Sequence, residues 1–230
     1  MVRFDAVLLD VGGIFHLPAH DRISAALGRA GLTSPDDLDR AHYAGVAAIT
    51  DFTDGDRNVW MAYQPAYALA CGAPAERLDE IAELLHAEFV SGGVWTRVIP
   101  ESVAALRALK ALGVKLAVVS NADGTVEQQL RDDGIGQVGP GPGVELDAVL
   151  DSAVVCVSKP DPRIFELALE RIGVPAERAL HVGDILAADV EGARAAGVTP
   201  VLMDPYDLHP DIDVQRVRSL SDVVEIVRSS

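Results

Sequence analysis

The stretch Ala6-Val7-Leu8-Leu9-Asp10-Val11-Gly12-Gly13-Ile14 decides how the chain is read. With Phe4 and Asp5 before it, it is a short apolar run closed by an acid and then two glycines. That is the pattern of a buried strand running into a tight turn. Moving outward, the pattern recurs. Val114–Val119 ends in Ser120-Asn121, Ala179–Gly183 ends in Asp184, and Val198–Met203 ends in Asp204. Ala148–Leu150 and Val154–Val157 are weaker strand candidates. Helical periodicity fills the intervals: Glu101–Leu112, Pro162–Ile172 and Ala187–Ala196 each stop at a glycine, and Asp222–Arg228 makes a last short helix. Near-continuous apolar strands alternating with helices predict an α/β core, a Rossmann-like parallel sheet with helices on both faces.

Residues 16–97 break that alternation. They read as helix after helix, Arg22–Ala30, Pro35–Ile49, Val59–Cys71 and Ala75–Phe89, and predict an all-helical domain inserted into a core made of residues 1–15 and 98–230. Seven of the eleven aromatics fall in the insertion, and Trp60, Tyr63 and Tyr67 share one helix face, as bundle packing requires. The acidic segment Asp51–Asp56 lacks the spacing of a calcium loop and reads as a solvated turn. Gly139-Pro140-Gly141-Pro142-Gly143 reads as a plain loop, because no helix start follows to cradle a phosphate.

Composition narrows the partners. Nineteen Lys plus Arg against 35 Asp plus Glu give a formal charge of −16, which argues against nucleic acid and anionic membrane surfaces. Cys71 and Cys156 cannot form a disulfide framework and read as reduced, mostly buried thiols. Asp5 and Asp10 spoil any leader-peptide core, and the uncharged run 58–75 is interrupted by Gln64, Pro65 and Pro74, so the expectation is a soluble cytoplasmic protein. Only three cations are lysines: Lys110, Lys115 and Lys159. The first two read as solvated charges, whereas Lys159 sits among prolines in Ser158-Lys159-Pro160-Asp161-Pro162.

In open parallel sheets ligands bind outside the carboxyl ends of the strands. The residues just past those ends are Asp10, Ser120-Asn121, Asp184 and Asp204, and the Lys159 loop adds an ammonium. Taken singly, a strand-end Asp is an ordinary turn or cap residue and a lone Lys a surface charge. Together they offer a nucleophilic carboxylate, a hydroxyl, an ammonium and a second carboxylate. Two carboxylates at one crevice repel each other unless a hard cation such as Mg²⁺ lies between them, and that set suits phosphoryl chemistry.

With four motifs in order, the chain resembles the haloacid dehalogenase-like hydrolase superfamily, in its branch with a helical cap inserted after the first motif. The motifs are Ala6–Ile14, Leu116–Asn121, Ser158–Phe165 and His181–Gly197. The resemblance implies that Asp10 attacks phosphorus and forms an aspartyl-phosphate. It implies that Ser120, Asn121 and Lys159 bind the phosphoryl group, and that Asp10, Asp184 and the Gly12 backbone carbonyl hold Mg²⁺. Asp189 would support the acidic loop from behind. A small phosphorylated metabolite is the implied substrate, drawn in by Mg²⁺, Lys159 and backbone N–H groups after Ser120 rather than by the −16 surface.

The departure is Gly12, where most phosphatases of this family carry a second Asp as general acid and then base. A glycine keeps the main-chain carbonyl and loses the proton-transfer group, whose contribution is on the order of 10²–10⁴-fold. Three readings follow: a phosphatase whose proton transfer is done by water, substrate or another residue; a weakly or non-catalytic metabolite-binding relative; or a 2-haloacid dehalogenase. Against the last, such relatives usually carry Tyr at this position and an Arg-led cap signature, both absent here. His16 is the nearest titratable candidate for the missing acid, its ordinary alternative being a solvated hinge histidine.

Overall fold

The structure, a computed structural model, describes residues 4–50 and 56–230, without the side chains of Asp56, Arg57, Asn58 and Trp60. The predicted solvated turn at Asp51–Asp56 therefore lies almost wholly outside the described residues. Six strands form one parallel sheet: β1 (Ala6–Leu9), β2 (Lys115–Ser120), β3 (Ala148–Asp151), β4 (Ala179–Gly183), β5 (Thr199–Met203) and β6 (Gln215–Val217). Their order is β6-β5-β4-β1-β2-β3, the doubly wound arrangement. Every residue of β1 is wholly buried, as expected for a central strand covered on both faces.

Helix Pro162–Ile172 shows how sequence makes one of these covers. Pro162 occupies the first helical position, the Asp161 carboxylate accepts from the Arg163 N–H at 2.9 Å, and Gly173 ends the helix at φ 69°. Ile164, Phe165 and Ala168 then pack in one cluster with Leu8, Ala117, Val119 and Leu150 of the sheet. Fully burying one such large side chain is worth about 1.5–3 kcal/mol.

Three sequence expectations need correction. Val154–Val157 is not a strand: Asp151 accepts from the Ala153 N–H at 3.0 Å and turns the chain into a short helix, Ser152–Val155. Cys156 ends that helix in the left-handed region (φ 57°), which leaves this thiol exposed while Cys71 is buried. The helix expected from Ala187 to Ala196 is a π-helical turn, Leu186–Val190, followed by a short α-helix, Glu191–Ala195. The Gly139–Gly143 loop joins two short paired strands, Gly136–Val138 and Val144–Leu146. It wraps the buried Gln137 side chain, which donates to the Gly139 carbonyl and accepts from the Gly143 N–H at 2.9 Å. A Cβ at Gly141 would lie 2.5 Å from that side chain, so the loop's glycines serve close packing.

Backbone contacts divide the chain into two compact units. One contains the sheet and takes residues up to Phe15, Ile99–Pro205 and Ile212–Ser230; the other takes His16–Val98 and Tyr206–Asp211. The second is built from helices His20–Arg29, Leu38–Ala47, Asp56–Ala70 and Leu78–Val90, with an antiparallel ribbon of His16–Pro18 and Trp95–Val98 that the sequence did not announce. The helix expected from Pro35 starts at Leu38, because Asp37 caps it by accepting from the Arg40 N–H at 3.1 Å. Tyr63 and Tyr67 are core residues, their rings 5.6 Å apart and each set edge-on against Phe89. Tyr206 joins this unit by donating its hydroxyl to Asp37 at 2.8 Å.

Candidate active site

The strand order reverses at β1 and β4, and the crevice beyond their carboxyl ends is where a doubly wound sheet binds ligands. Leu9 is level with Val182 of β4 and with Val118 of β2, so Asp10 and Asp184 leave adjacent strands close together. The Asp10 N–H donates to the Val182 carbonyl at 3.0 Å and fixes the direction in which the chain leaves the sheet. Gly13 follows at φ 66°, with the Asp184 carboxylate seated against its Cα: a Cβ there would lie 2.0 Å from Asp184 Oδ2. A second glycine seats a second acid, since a Cβ on Gly183 would lie 2.1 Å from Asp189 Cγ.

Lys159 reaches this crevice from the loop before helix Pro162–Ile172. The Asn121 side chain holds its backbone from both sides, accepting from the Lys159 N–H at 2.8 Å and donating to the Lys159 carbonyl at 2.9 Å. The ammonium lies 2.9 Å from Asp10 Oδ1 and 2.6 Å from Asp189 Oδ1 and is 2% exposed. Asp189 accepts further from His181 Nε2 at 2.9 Å and, through Oδ2, from the Ile185 N–H at 3.0 Å. Ser120, at the end of β2, is buried at the same edge.

Burial and charge set the acids apart. Burial pushes the Asp10 carboxyl above the usual carboxylate range, only partly offset by Lys159. The same burial acts on Asp189, but Lys159 and His181 outweigh it and hold that carboxyl below its ordinary value. Lys159 is also raised, because its two carboxylate neighbours overcome the cost of burying an ammonium.

Asp10, Asp184 and Asp189 each offer an oxygen within 4.8 Å of the others, and all three are buried. An all-oxygen donor set of three buried carboxylates, with a cradle at Gly13, fits a hard divalent cation such as Mg²⁺. Asp189 spends both oxygens on Lys159, His181 and Ile185. Gly12 is half-buried and lies outside the left-handed region, unlike Gly13.

The other expected residues fall elsewhere. Asp204 binds Arg216 of β6 at 3.0 Å, at a strand end removed from the reversal point. His16 starts the ribbon of the helical unit and is wholly buried, which corrects the solvated reading. The N–H groups after Ser120 are largely committed: Ala122 donates to Ser152 Oγ at 3.0 Å, Gly124 to Asp151 at 2.9 Å and Thr125 to Asp123 at 3.2 Å. The sequence reading missed Asp151 and Ser152, which shape that loop from β3, and His181, whose position inside an apolar strand hid its carboxylate partner.

A sequence model of the haloacid dehalogenase-like hydrolases matches residues 7–197, a span that runs from β1 past the acidic loop. The chain belongs to this family. Haloacid dehalogenase-like hydrolase domain-containing protein 3 of Danio rerio is 36% identical over 143 residues, 61% of this chain and 56% of that protein. A phosphoserine phosphatase of Thermus thermophilus is 35% identical over 164 residues, 69% of this chain and 61% of that protein. The chain thus spans somewhat over half the length of the curated relatives it matches. Among solved structures, the HAD-hydrolase YfnB of Bacillus subtilis, bound to magnesium, superposes at a TM-score of 0.61 with 20% identity, over 98% of this chain and 99% of that one. That likeness establishes the fold of the hydrolase family for this chain. No helix among the described residues is long and apolar enough to cross a membrane.

Proposed function

We propose that this hydrolase is a Mg²⁺-dependent phosphatase acting on a small phosphorylated metabolite, with Asp10 as nucleophile. The observation that carries the reading is the buried Asp10–Lys159 pair at the reversal point of the sheet, beside Asp184. A buried carboxylate held by an ammonium keeps an oxygen directed at the crevice, and the same ammonium has a third proton for a phosphoryl oxygen. Ser120 supports that phosphoryl group from the end of β2, and Asn121 serves it indirectly, by fixing the backbone of Lys159. Mg²⁺ held by Asp10, Asp184 and the Gly12 carbonyl supplies the positive charge that a phosphate needs in so acidic a protein.

Asp10 Oδ forms a bond to phosphorus while the bond to the leaving oxygen breaks, and that oxygen takes a proton from water. A water molecule then attacks phosphorus, the Asp10–phosphorus bond breaks, and orthophosphate leaves with regeneration of the carboxylate. Gly12 provides no acid for the first step and no base for the second. Leaving groups that need little protonation, aryl and acyl phosphates, are therefore the preferred substrates.

Gly12 also favours a second reading, a protein that forms the aspartyl-phosphate and releases it slowly, closer to a binding protein than to a rapid enzyme. One assay separates the two: Mg²⁺-dependent phosphate release from an aryl phosphate, with Asp10→Asn as control. Steady turnover abolished by Asp10→Asn supports the phosphatase; a burst of the aryl alcohol, about one per protein, with no matching phosphate supports slow release. Release unaffected by Asp10→Asn would overturn both.

A further inference from the structure

Asp189 Oδ1 takes two close partners, Lys159 Nζ at 2.6 Å and His181 Nε2 at 2.9 Å. An oxygen that accepts from an ammonium at this distance is a carboxylate oxygen, so the hydrogen between it and His181 belongs to Nε2. The other ring nitrogen, Nδ1, has no hydrogen-bond partner among the described residues, and the ring is wholly buried, edge-on to Phe165 at 4.9 Å. A proton on Nδ1 would be stranded there, at the cost of an unmade buried hydrogen bond. The imidazole is therefore fixed in one tautomer by its surroundings. Phe165 is held in turn by Gly192, where a Cβ would lie 2.8 Å from the ring and 3.1 Å from the Pro160 backbone, next to Lys159.

Lys159 divides its ammonium between two carboxylates, and the contact to Asp189 is the shorter. Left alone, Asp189 would draw the ammonium to itself and away from Asp10. A second donor on the same oxygen weakens that pull by sharing its negative charge. We propose that His181 is a positioning residue for the nucleophile: through its Nε2–H bond to Asp189 it keeps the Lys159 ammonium shared with Asp10 and available to a phosphoryl oxygen. This role rests on the reading of Asp10 and Lys159 as a phosphoryl site, and it adds a residue that makes no contact with the reacting atoms.

The test uses the full chain and two variants. His181→Phe keeps a ring against Phe165 and removes the donor; His181→Gln keeps an N–H. Side-chain ¹⁵N spectra of the resting wild-type protein should show the proton on Nε2 and none on Nδ1. Inorganic phosphate binding with Mg²⁺ present, measured by calorimetry, and the single-turnover rate with an aryl phosphate should each fall about 10–100-fold in His181→Phe, with recovery in His181→Gln. Thermal unfolding of both variants distinguishes a positioning effect from collapse, and a His181→Phe that does not fold leaves His181→Gln and the tautomer to decide. A proton on Nδ1 would overturn the inference. So would phosphate affinity and turnover in a folded donor-free variant equal to wild type. A wild-type protein that binds phosphate but turns over no ester would contradict the phosphatase reading and leave this one standing.

Discussion

Gly12 and Gly13 are neighbours with opposite sensitivities. Gly13 has φ 66° and the Asp184 carboxylate against its Cα, so Gly13→Ala meets both backbone strain and a collision at 2.0 Å. A strained residue of this kind costs about 1–3 kcal/mol. The expected outcome is a loss of that size in urea unfolding, together with weaker Mg²⁺ binding by calorimetry; unchanged metal affinity would separate Asp184 from the metal. Gly12 has no left-handed φ to preserve, so Gly12→Asp is free of that strain. It should raise steady-state release of phosphate from alkyl phosphates by on the order of 10²-fold, and aryl phosphates less. No gain on either would show that position 12 does not limit the rate. Lys159→Ala strands Asp10 and Asp189 without their shared cation. Breaking a buried pair costs about 3–5 kcal/mol, which denaturant titration should register beside the loss of activity.

At the scale of elements, the ends of strands and helices decide most of what happens. Asp10, Ser120 and Asp184 were legible because each closes an apolar run, and such a run can be read from local order alone. Asp204 closes one too, yet it answers to Arg216, because which strand lies at the reversal point is a property of strand order and not of any one segment. His181 was illegible for the same reason: its partner arrives eight residues later, through a π-helical turn that a helical period does not foresee. Val154–Val157 looked like a strand from its apolar composition, and a single cap by Asp151 overrode that propensity. In the helical unit, Glu88 ties the first helix to the last through Arg22 at 2.9 Å and Arg29 at 2.5 Å. Hydrogen bonds from Arg29 and then Arg22 hold the Glu88 carboxyl below its ordinary value, against some cost of burial. A lowered carboxyl contributes stability above the usual Glu range and loses it as the pH falls through the depressed value. Glu88→Gln should therefore be less stable than wild type near neutrality and converge with it in acid. An equal gap across that range would show that charge is not what Glu88 contributes.

For the molecule as a whole, −16 at pH 7 means that the acidic surface cannot gather an anionic substrate. On the proposed reading attraction is confined to the crevice, where Lys159 lies among three buried acids that would hold a divalent cation. Removing divalent ions should abolish turnover and Mg²⁺ should restore it, with little benefit from raised ionic strength alone. The parallel α/β class could be foreseen from the alternation of apolar runs and helical periods. The return of Tyr206–Asp211 to the helical unit could not, since Tyr206 meets Asp37, Arg40 and Tyr43 from far along the chain. The central claim, that Asp10 carries the phosphoryl group, has a direct measurement: mass spectrometry of the protein quenched in acid during turnover of an aryl phosphate. One added phosphoryl group on the tryptic peptide Phe4–Arg22, localised to Asp10 and absent from Asp10→Asn, is the predicted result. Phosphate release with no label on that peptide, or with the label on another residue, would contradict it.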